Sequence, residues 1–172
     1  GVTFAGLIKQ TYPDIEINYI HHAGNSSGIV DGAAALVLAS EAYAKANNLK
    51  PRAKIVAMAN HGHCPELMLD APVPATKKVL EKAGLTIDDI DLFEINEAFA
   101  VVTMAAMKEL SIPREKVNVH GGAVALGHPI GGSGARIFTT LLHALKTHNK
   151  KYGMASICIG GGEAVAVIVE NL

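Results

Sequence analysis

The sequence predicts an α/β layered fold built on a largely buried, mixed β-sheet. Segments typical of strands and helices alternate along most of the 172 residues. The helical segment 96–110 is apolar nearly all round, as a buried helix is. Two strand-like segments close the chain around Gly160–Gly162, whose three glycines allow a hairpin turn. This order indicates a mixed sheet with helices on both faces.

Each element follows from a local pattern. Short apolar runs bounded by turn residues predict strands at 17–24, 33–40, 53–59, 91–95 and in both halves of 152–170. Helical patterns predict helices at 41–48, 74–84, 96–110 and 133–146. Pro74 suits the first turn of its helix, Gly84 suits the end, and Ser133 can cap the last helix. The three prolines of segment 61–74 predict a loop.

Composition narrows the possible partners. The net charge is −1 and no basic block is present, so a nucleic-acid partner is not expected. The longest uncharged apolar stretch, 98–107, has about half of the roughly 20 residues that span a membrane, so no membrane partner is expected. Only 18% of residues are charged, against roughly 25% in ordinary soluble domains. We therefore expect apolar surface to be covered by protein, either an identical chain or a missing part of this one.

The two cysteines, Cys64 and Cys158, form neither a disulfide framework nor a CxxC pair. Free thiols suit a reducing compartment, so the expected location is the cytoplasm or an organelle matrix.

Two side chains stand at positions where α/β sheets gather their sites. Asn96 directly follows the predicted strand 91–95, although an asparagine there can also simply cap the next helix. Cys158 precedes the glycine turn, and its thiol could move a proton or attack a carbonyl. The alternative is that Cys158 is simply a buried apolar residue, as many free cysteines are.

His128 lies in the glycine-rich segment 121–136, "GGAVALGHPIGGSGAR". Pro129 restricts His128 to extended backbone, which presents the imidazole as a base or as a donor to an oxyanion. The alternative is a histidine satisfied within a turn. Glycines cost stability in an ordered segment, so their number here indicates that the backbone closely approaches another group. The segment lacks the Gly-Lys-Ser/Thr of a phosphate loop and the spacing of a dinucleotide fingerprint.

One further cluster, "HGHC" at 61–64, contains two histidines and a cysteine. A closed zinc site needs four ligands at suitable spacing, so a loop is the simpler interpretation and no metal is expected.

Taken together, five motifs resemble the thiolase family. They occur in the family's order and cover nearly all of the chain: "AGNSSGIVDGAAA" (23–35), "PVPATKKVL" (72–80), "NEAFA" (96–100), "GGAVALGHPIGGSGAR" (121–136) and "CIGGG" (158–162). The resemblance implies a thiolase-like fold, with residues 1–172 as the C-terminal half of an α-β-α-β-α layered architecture. It places the nucleophilic cysteine in an N-terminal half that this sequence lacks.

The resemblance also implies roles for four residues of this chain. His128 would assist formation of the missing thiolate, and its Nε2–H would bind the thioester oxyanion. Asn96 would hold a water that is the second donor of that oxyanion hole. Cys158 would be the acid/base that removes a proton from the α-carbon of an acyl-CoA or from the thiol of coenzyme A. The backbone N–H of Gly160 would serve a second oxyanion hole.

Substrate binding follows from the same resemblance. The pantetheine arm would be lined by Ser27, Ala23, Ala98 and Phe99, and the acyl pocket by Met68. Acyl-CoA esters would be the substrates, with coenzyme A as a substrate and no separate cofactor. The expected protein partners are the N-terminal thiolase half and further copies of the chain in a homo-oligomer.

Two functions are compatible with these expectations. The first is an acyltransferase that condenses acyl-CoA esters or cleaves 3-ketoacyl-CoA, active only as part of a complete enzyme. The alternative is a non-catalytic module that binds CoA esters or assists assembly. A neighbouring half with the nucleophile segment would favour the enzyme.

Overall fold

The structure, a computed structural model, describes residues 3–172. Within them the helices are α1 (Phe4–Thr11), α2 (Glu41–Ala46), α3 (Pro72–Ala83), α4 (Ala100–Leu110), α5 (Ala123–Leu126) and α6 (Ser133–Thr147). The strands are β1 (Ala53–Gly62), β2 (Leu92–Ile95), β3 (Tyr152–Ile159) and β4 (Glu163–Asn171). No helix in residues 3–172 is long and apolar enough to cross a membrane.

The strands form one mixed sheet in the order β1-β4-β3-β2. β4 pairs antiparallel with both β1 and β3, whereas β2 pairs parallel with β3. The turn between β3 and β4 contains Gly161 and Gly162 at φ +92° and +86°, a backbone conformation that favours glycine. The predicted mixed sheet and its closing glycine hairpin are confirmed.

Each face of the sheet carries its own apolar core. On one face, residues of α3 and α4 pack with β-strand residues such as Phe93, Met154 and Ile168. On the other face, Ile137, Leu141 and Leu145 of α6 are buried against Leu92 and Val169. Helices therefore cover both faces, as predicted. On α6, Phe138 and Leu142 are only partly buried.

Two predicted strands are absent from the described residues. Segment 17–24 has no regular structure before the 3-10 turn Ala23–Asn25, and 33–40 has none at all. Val37 is 91% exposed and Leu38 72% exposed. The apolar run of 33–40 suggested a buried strand, but a strand also needs a neighbour to pair with, and no described strand lies beside either segment.

Several predicted boundaries are also wrong. α3 begins at Pro72 rather than at Pro74, and β1 continues to Gly62, two residues into the predicted loop. Ser133 is not a cap, because Gly132 holds that position and the Ser133 hydroxyl bonds to the carbonyl of Pro129 instead.

The helix predicted at 96–110 begins at Ala100, with Phe99 as its N-cap, so Asn96 does not cap it. Residues before the helix are held extended, because Phe99 bridges to Ser26 and the carbonyl of Ala98 accepts from the backbone of Ser27. The helix is buried on one side only, since Met104 is 61% exposed.

Candidate functional site

Asn96 and Cys158 occupy neighbouring strand ends. Asn96 follows β2, is 1% exposed, and donates its backbone N–H to the carbonyl of Ser156 on β3 at 3.0 Å. Because β2 and β3 are parallel, their carboxyl ends meet at the same edge of the sheet. Cys158 lies two residues beyond Ser156, about 7 Å further along the strand.

His128 is held by residues 23–32, which we name the strap. The backbone N–H of His128 donates to the carbonyl of Gly28 at 2.8 Å. On either side the contact is too close for a side chain. A Cβ on Gly127 would lie 2.5 Å from Cγ2 of Val30, and one on Gly32 would lie 2.8 Å from Cγ of Pro129. These glycines therefore allow the strap to approach the histidine loop.

Side-chain hydrogen bonds connect Asn96 to His128. Asn96 Nδ2 lies 3.3 Å from His128 Nε2, and His128 Nδ1 lies 2.5 Å from Ser133 Oγ. Ser133 Oγ in turn donates to the carbonyl of Pro129 at 3.0 Å. Behind the asparagine, Arg136 Nη2 donates to Asn96 Oδ1 at 3.4 Å. The structure thus brings together two of the three predicted side chains, at one end of α6.

The surroundings keep both titratable groups uncharged. Burial, and to a lesser extent the charge of Arg136, lower the pKa of His128, which favours a neutral imidazole. Burial raises the pKa of the Cys158 thiol, although a backbone hydrogen bond opposes part of the effect. At neutral pH the site therefore combines a neutral imidazole with a protonated thiol.

Cys158 itself lies on β3, half-buried beside the core under α3 and α4. In the described part of the chain its thiol makes no side-chain hydrogen bond to Asn96 or His128. Gly160, at the turn that follows, is exposed, with no neighbour within 4 Å of where its Cβ would be. The proposed meeting of the thiol with the amide and imidazole therefore stays a prediction.

Three of the residues expected to line the pantetheine arm lie together. Ser27 donates to the carbonyl of Ala98 through both its N–H, at 3.1 Å, and its Oγ, at 2.9 Å. Phe99 pairs with the neighbouring Ser26. Ala23 begins the 3-10 turn of the same strap. Met68 begins a separate 3-10 turn, Met68–Asp70, which contacts β3 and α4.

The "HGHC" cluster is divided between the end of β1, which contains His61 and Gly62, and a loop against the glycine turn, which contains His63 and Cys64. The N–H of His63 donates to the carbonyl of Gly162 at 2.6 Å, and Cys64 Sγ donates to Glu66 at 2.8 Å. In the part of the chain that the structure describes, no group of three or more His, Cys, Asp or Glu side chains could hold a metal ion.

Two charged residues near the site were missed from the sequence. Glu94 is 2% exposed within β2, and burial raises its pKa to about 8, assisted by the charge of Glu97 and opposed by Arg136. Arg136 reaches Asn96 from the first turn of α6. A glutamate inside the apolar strand "LFEI" was the available signal, because charged residues are almost never fully buried without a partner.

The chain is similar in sequence to known proteins. The sequence model of one protein family, described as the thiolase C-terminal domain, matches residues 49–171. Acetyl-CoA acetyltransferase of Escherichia coli K12 is 56% identical over 150 residues, and cytosolic acetyl-CoA acetyltransferase of Mus musculus is 51% identical over 147. The matches cover 87% and 86% of this chain, but 38% and 37% of those relatives.

The chain also resembles solved structures in its fold. The acetyl-CoA acetyltransferase of Bacillus anthracis superposes with a TM-score of 0.85 at 51% identity, covering 87% of this chain and 38% of that one. Human mitochondrial 3-ketoacyl-CoA thiolase in complex with CoA gives a TM-score of 0.80 at 43% identity, with the same coverage. The chain thus spans about 38% of the length of these relatives. It belongs to the thiolase family, and residues 49–171 form its thiolase C-terminal domain.

Proposed function

We propose that this chain supplies the acid–base half of an acyl-CoA acyltransferase, which condenses acyl-CoA esters and, in reverse, cleaves 3-ketoacyl-CoA with coenzyme A. The observation that supports it most is the hydrogen bond between Asn96 and His128, at the sheet edge where β3 brings Cys158. The nucleophilic cysteine comes from an N-terminal half, the protein partner of this chain.

In the first step, the nucleophile is acylated. His128 Nε2 takes the proton of the nucleophilic thiol, and the resulting thiolate attacks the thioester carbonyl. The carbonyl oxygen becomes an oxyanion, which accepts from the new Nε2–H and from a water held by Asn96. As the carbon–sulfur bond to coenzyme A breaks, Cys158 donates its proton to the departing sulfur. This use of Cys158 suits a thiol whose raised pKa keeps it protonated at rest.

In the second step, Cys158 acts as a base, because it gave up its proton in the first step. Its thiolate removes a proton from the α-carbon of a second acyl-CoA, and the enolate oxygen is stabilised by donors that include the N–H of Gly160. The enolate carbon attacks the acyl-enzyme, forming the carbon–carbon bond and releasing the nucleophilic sulfur. That sulfur regains its proton from His128, which returns both groups to their starting states.

Coenzyme A enters this cycle as a substrate, and no separate cofactor takes part. Ser27, Ala98 and Phe99, with Ala23, would line its pantetheine arm, and Met68 would border the acyl group. The paired contacts between the strap and residues 98–99 support this assignment, because they hold these residues together two to three positions after Asn96. A homo-oligomer of complete enzymes is the expected assembly.

The test combines this chain with the nucleophile-bearing half and measures cleavage of acetoacetyl-CoA by coenzyme A. We expect no turnover by the chain alone and turnover by the combination. His128→Ala and Asn96→Ala in the combination should each reduce turnover by about 100-fold or more, as the loss of one oxyanion donor does. A combination that binds CoA esters without turnover would instead support the binding-module alternative.

A further inference from the structure

The hydrogen bonds of Ser133 indicate which nitrogen of His128 holds the proton. Ser133 Oγ donates its only proton to the carbonyl of Pro129, because a carbonyl oxygen can only accept. The 2.5 Å contact between the same Oγ and His128 Nδ1 is then a bond that the imidazole donates. Nδ1 is therefore protonated, and in the neutral ring Nε2 carries a free lone pair.

The opposite side of the ring leads to the same tautomer. A guanidinium only donates, so the Asn96 atom facing Arg136 Nη2 is the carbonyl oxygen Oδ1. The amide nitrogen Nδ2 must then face His128, and because an amide nitrogen only donates, Nε2 accepts. Two separate sets of donors and acceptors thus agree on a histidine with Nδ1–H and an unprotonated Nε2.

We propose that Arg136 is a positioning residue, whose guanidinium orients the Asn96 amide and thereby holds His128 Nε2 as a hydrogen-bond acceptor, ready to take a proton. The catalytic consequence of an unprotonated Nε2 rests on the proposed function, whereas the assignment of the tautomer does not. Arg136 acts through Asn96 and has no role of its own in the chemistry.

The environment of Arg136 supports this role over a purely structural one. Within residues 3–172 its Nε and Nη1 are buried without a hydrogen-bond partner, and it forms no ion pair with a carboxylate. Glu94, on the strand that α6 covers, interacts with it only at longer range and likewise has an unpartnered Oε1. A buried charge left largely unpaired destabilises a fold. The bond to Asn96 is the one that this guanidinium makes.

A first measurement needs no substitution. ¹⁵N NMR of the histidine ring in this chain should show a neutral His128 with Nδ1 protonated and Nε2 unprotonated at neutral pH. Finding the proton on Nε2 would overturn the proposal, and it would do so whether or not the complete enzyme turns over.

Variants then test Arg136 itself. Arg136→Gln introduces an amide that can either donate or accept, so Asn96 can turn its Oδ1 toward His128 Nε2. The turned amide favours a proton on Nε2 whereas Ser133 favours one on Nδ1, so we expect a mixture of His128 tautomers. We also expect a raised His128 pKa, because a positive charge is lost. Arg136→Lys, which only donates, should restore most of the Nδ1–H form. Arg52→Gln is the matched control, since Arg52 also contacts a histidine, His143, at 3.1 Å but on the exposed surface; it should leave His128 unchanged.

In the complete enzyme, Arg136→Gln should slow acylation at least tenfold while KM for the acyl-CoA changes less than twofold. An unchanged tautomer and His128 pKa in a folded Arg136→Gln variant would refute the positioning role. If that variant does not fold, the wild-type spectrum and the spectrum of Arg136→Lys test the positioning role instead. Absence of turnover by the wild-type combination would count against the proposed function alone, because the NMR result is independent of it.

Discussion

The side chain of Asn118 pairs with both backbone groups of Ile95, as a neighbouring strand would. Its Oδ1 accepts from the N–H of Ile95 at 2.9 Å, and its Nδ2 donates to the carbonyl of Ile95 at 2.8 Å. The same Nδ2 donates to Glu97 at 2.9 Å. Asn118 is 3% exposed. One asparagine therefore holds the backbone of Ile95 and the side chain of Glu97, the two neighbours of Asn96 in the chain.

Replacing Asn118 by alanine should destabilise the fold by about 3 kcal/mol, because two backbone groups of a buried strand lose their partners. Chemical denaturation measures this loss. Asn149→Ala is the matched control: Asn149 also has a positive φ, 51° against 47° at Asn118, but is exposed. Equal losses in the two variants would show that backbone strain alone is responsible.

The glycine before His128 should not tolerate a methyl group. Gly127 has φ +92°, and a Cβ there would lie 2.5 Å from Val30 of the strap. Gly127→Ala should therefore displace the strap from the histidine loop and reduce acyl transfer by the complete enzyme at least tenfold. Gly131→Ala in the same loop meets no atom within 4 Å and should retain activity. Similar activities in the two variants would argue against the strap as a support for His128.

Glu94 should make stability depend on pH. The folded pKa of about 8 lies above the ordinary value of 4.5, so between these values the folded chain holds a proton that the unfolded chain lacks. Stability is then lost as the pH rises through this window, by at most about 1.4 kcal/mol per pH unit. Glu94→Gln should remove this loss and gain stability over the wild type as the pH approaches 8.

The measurement is the free energy of unfolding at several pH values between 5 and 8.5. Glu115→Gln, which changes an exposed carboxylate, provides the control. Parallel curves for the wild type and Glu94→Gln would mean that Glu94 ionises freely in the fold.

Loss of the Cys158 thiol should separate the two chemical steps. In the complete enzyme, Cys158→Ala should abolish condensation while initial acylation stays partly intact, because only the second step needs a base at the α-carbon. Release of coenzyme A in a single turnover measures acylation, and product formation measures condensation. Cys64→Ser, in the loop beside Glu66, should leave both steps unchanged. An equal loss of both steps in Cys158→Ala would contradict the assigned role as base.

The isolated chain should self-associate. Ile29, Val37 and Leu38 are 80%, 91% and 72% exposed, so several large apolar side chains of segment 29–38 lie open to solvent. Burial of such surface is favourable by about 25 cal/mol per Å². Light scattering should show species larger than one chain, and Val37→Glu combined with Leu38→Lys should reduce them. A wild-type chain that stays monomeric would contradict this expectation.

Local patterns were sufficient for the central elements of the fold. The strands at 53–59 and 91–95, the helix that ends at Gly84 and the glycine hairpin all form, although the first strand and the helix are longer than predicted. Each combines an apolar run with turn residues that permit few alternatives. The patterns failed at 17–24 and 33–40, whose conformation depends on what lies beside them. They failed also at Asn96, whose backbone N–H donates to the carbonyl of Ser156 on β3 and so continues the strand pairing instead of starting a helix.

The sequence by itself determined the α/β layers, the glycine turns and the residue types on which chemistry could depend, since these follow from hydrophobic periodicity and backbone preference. Only the tertiary structure decided that Asn96 faces His128, that Ser133 serves the imidazole rather than the helix end, and that Arg136 stands behind the asparagine. These partners are separated by as many as 40 positions along the chain. A hydrogen bond depends on distance and direction in space, and neither is recorded in the spacing of residues along the sequence.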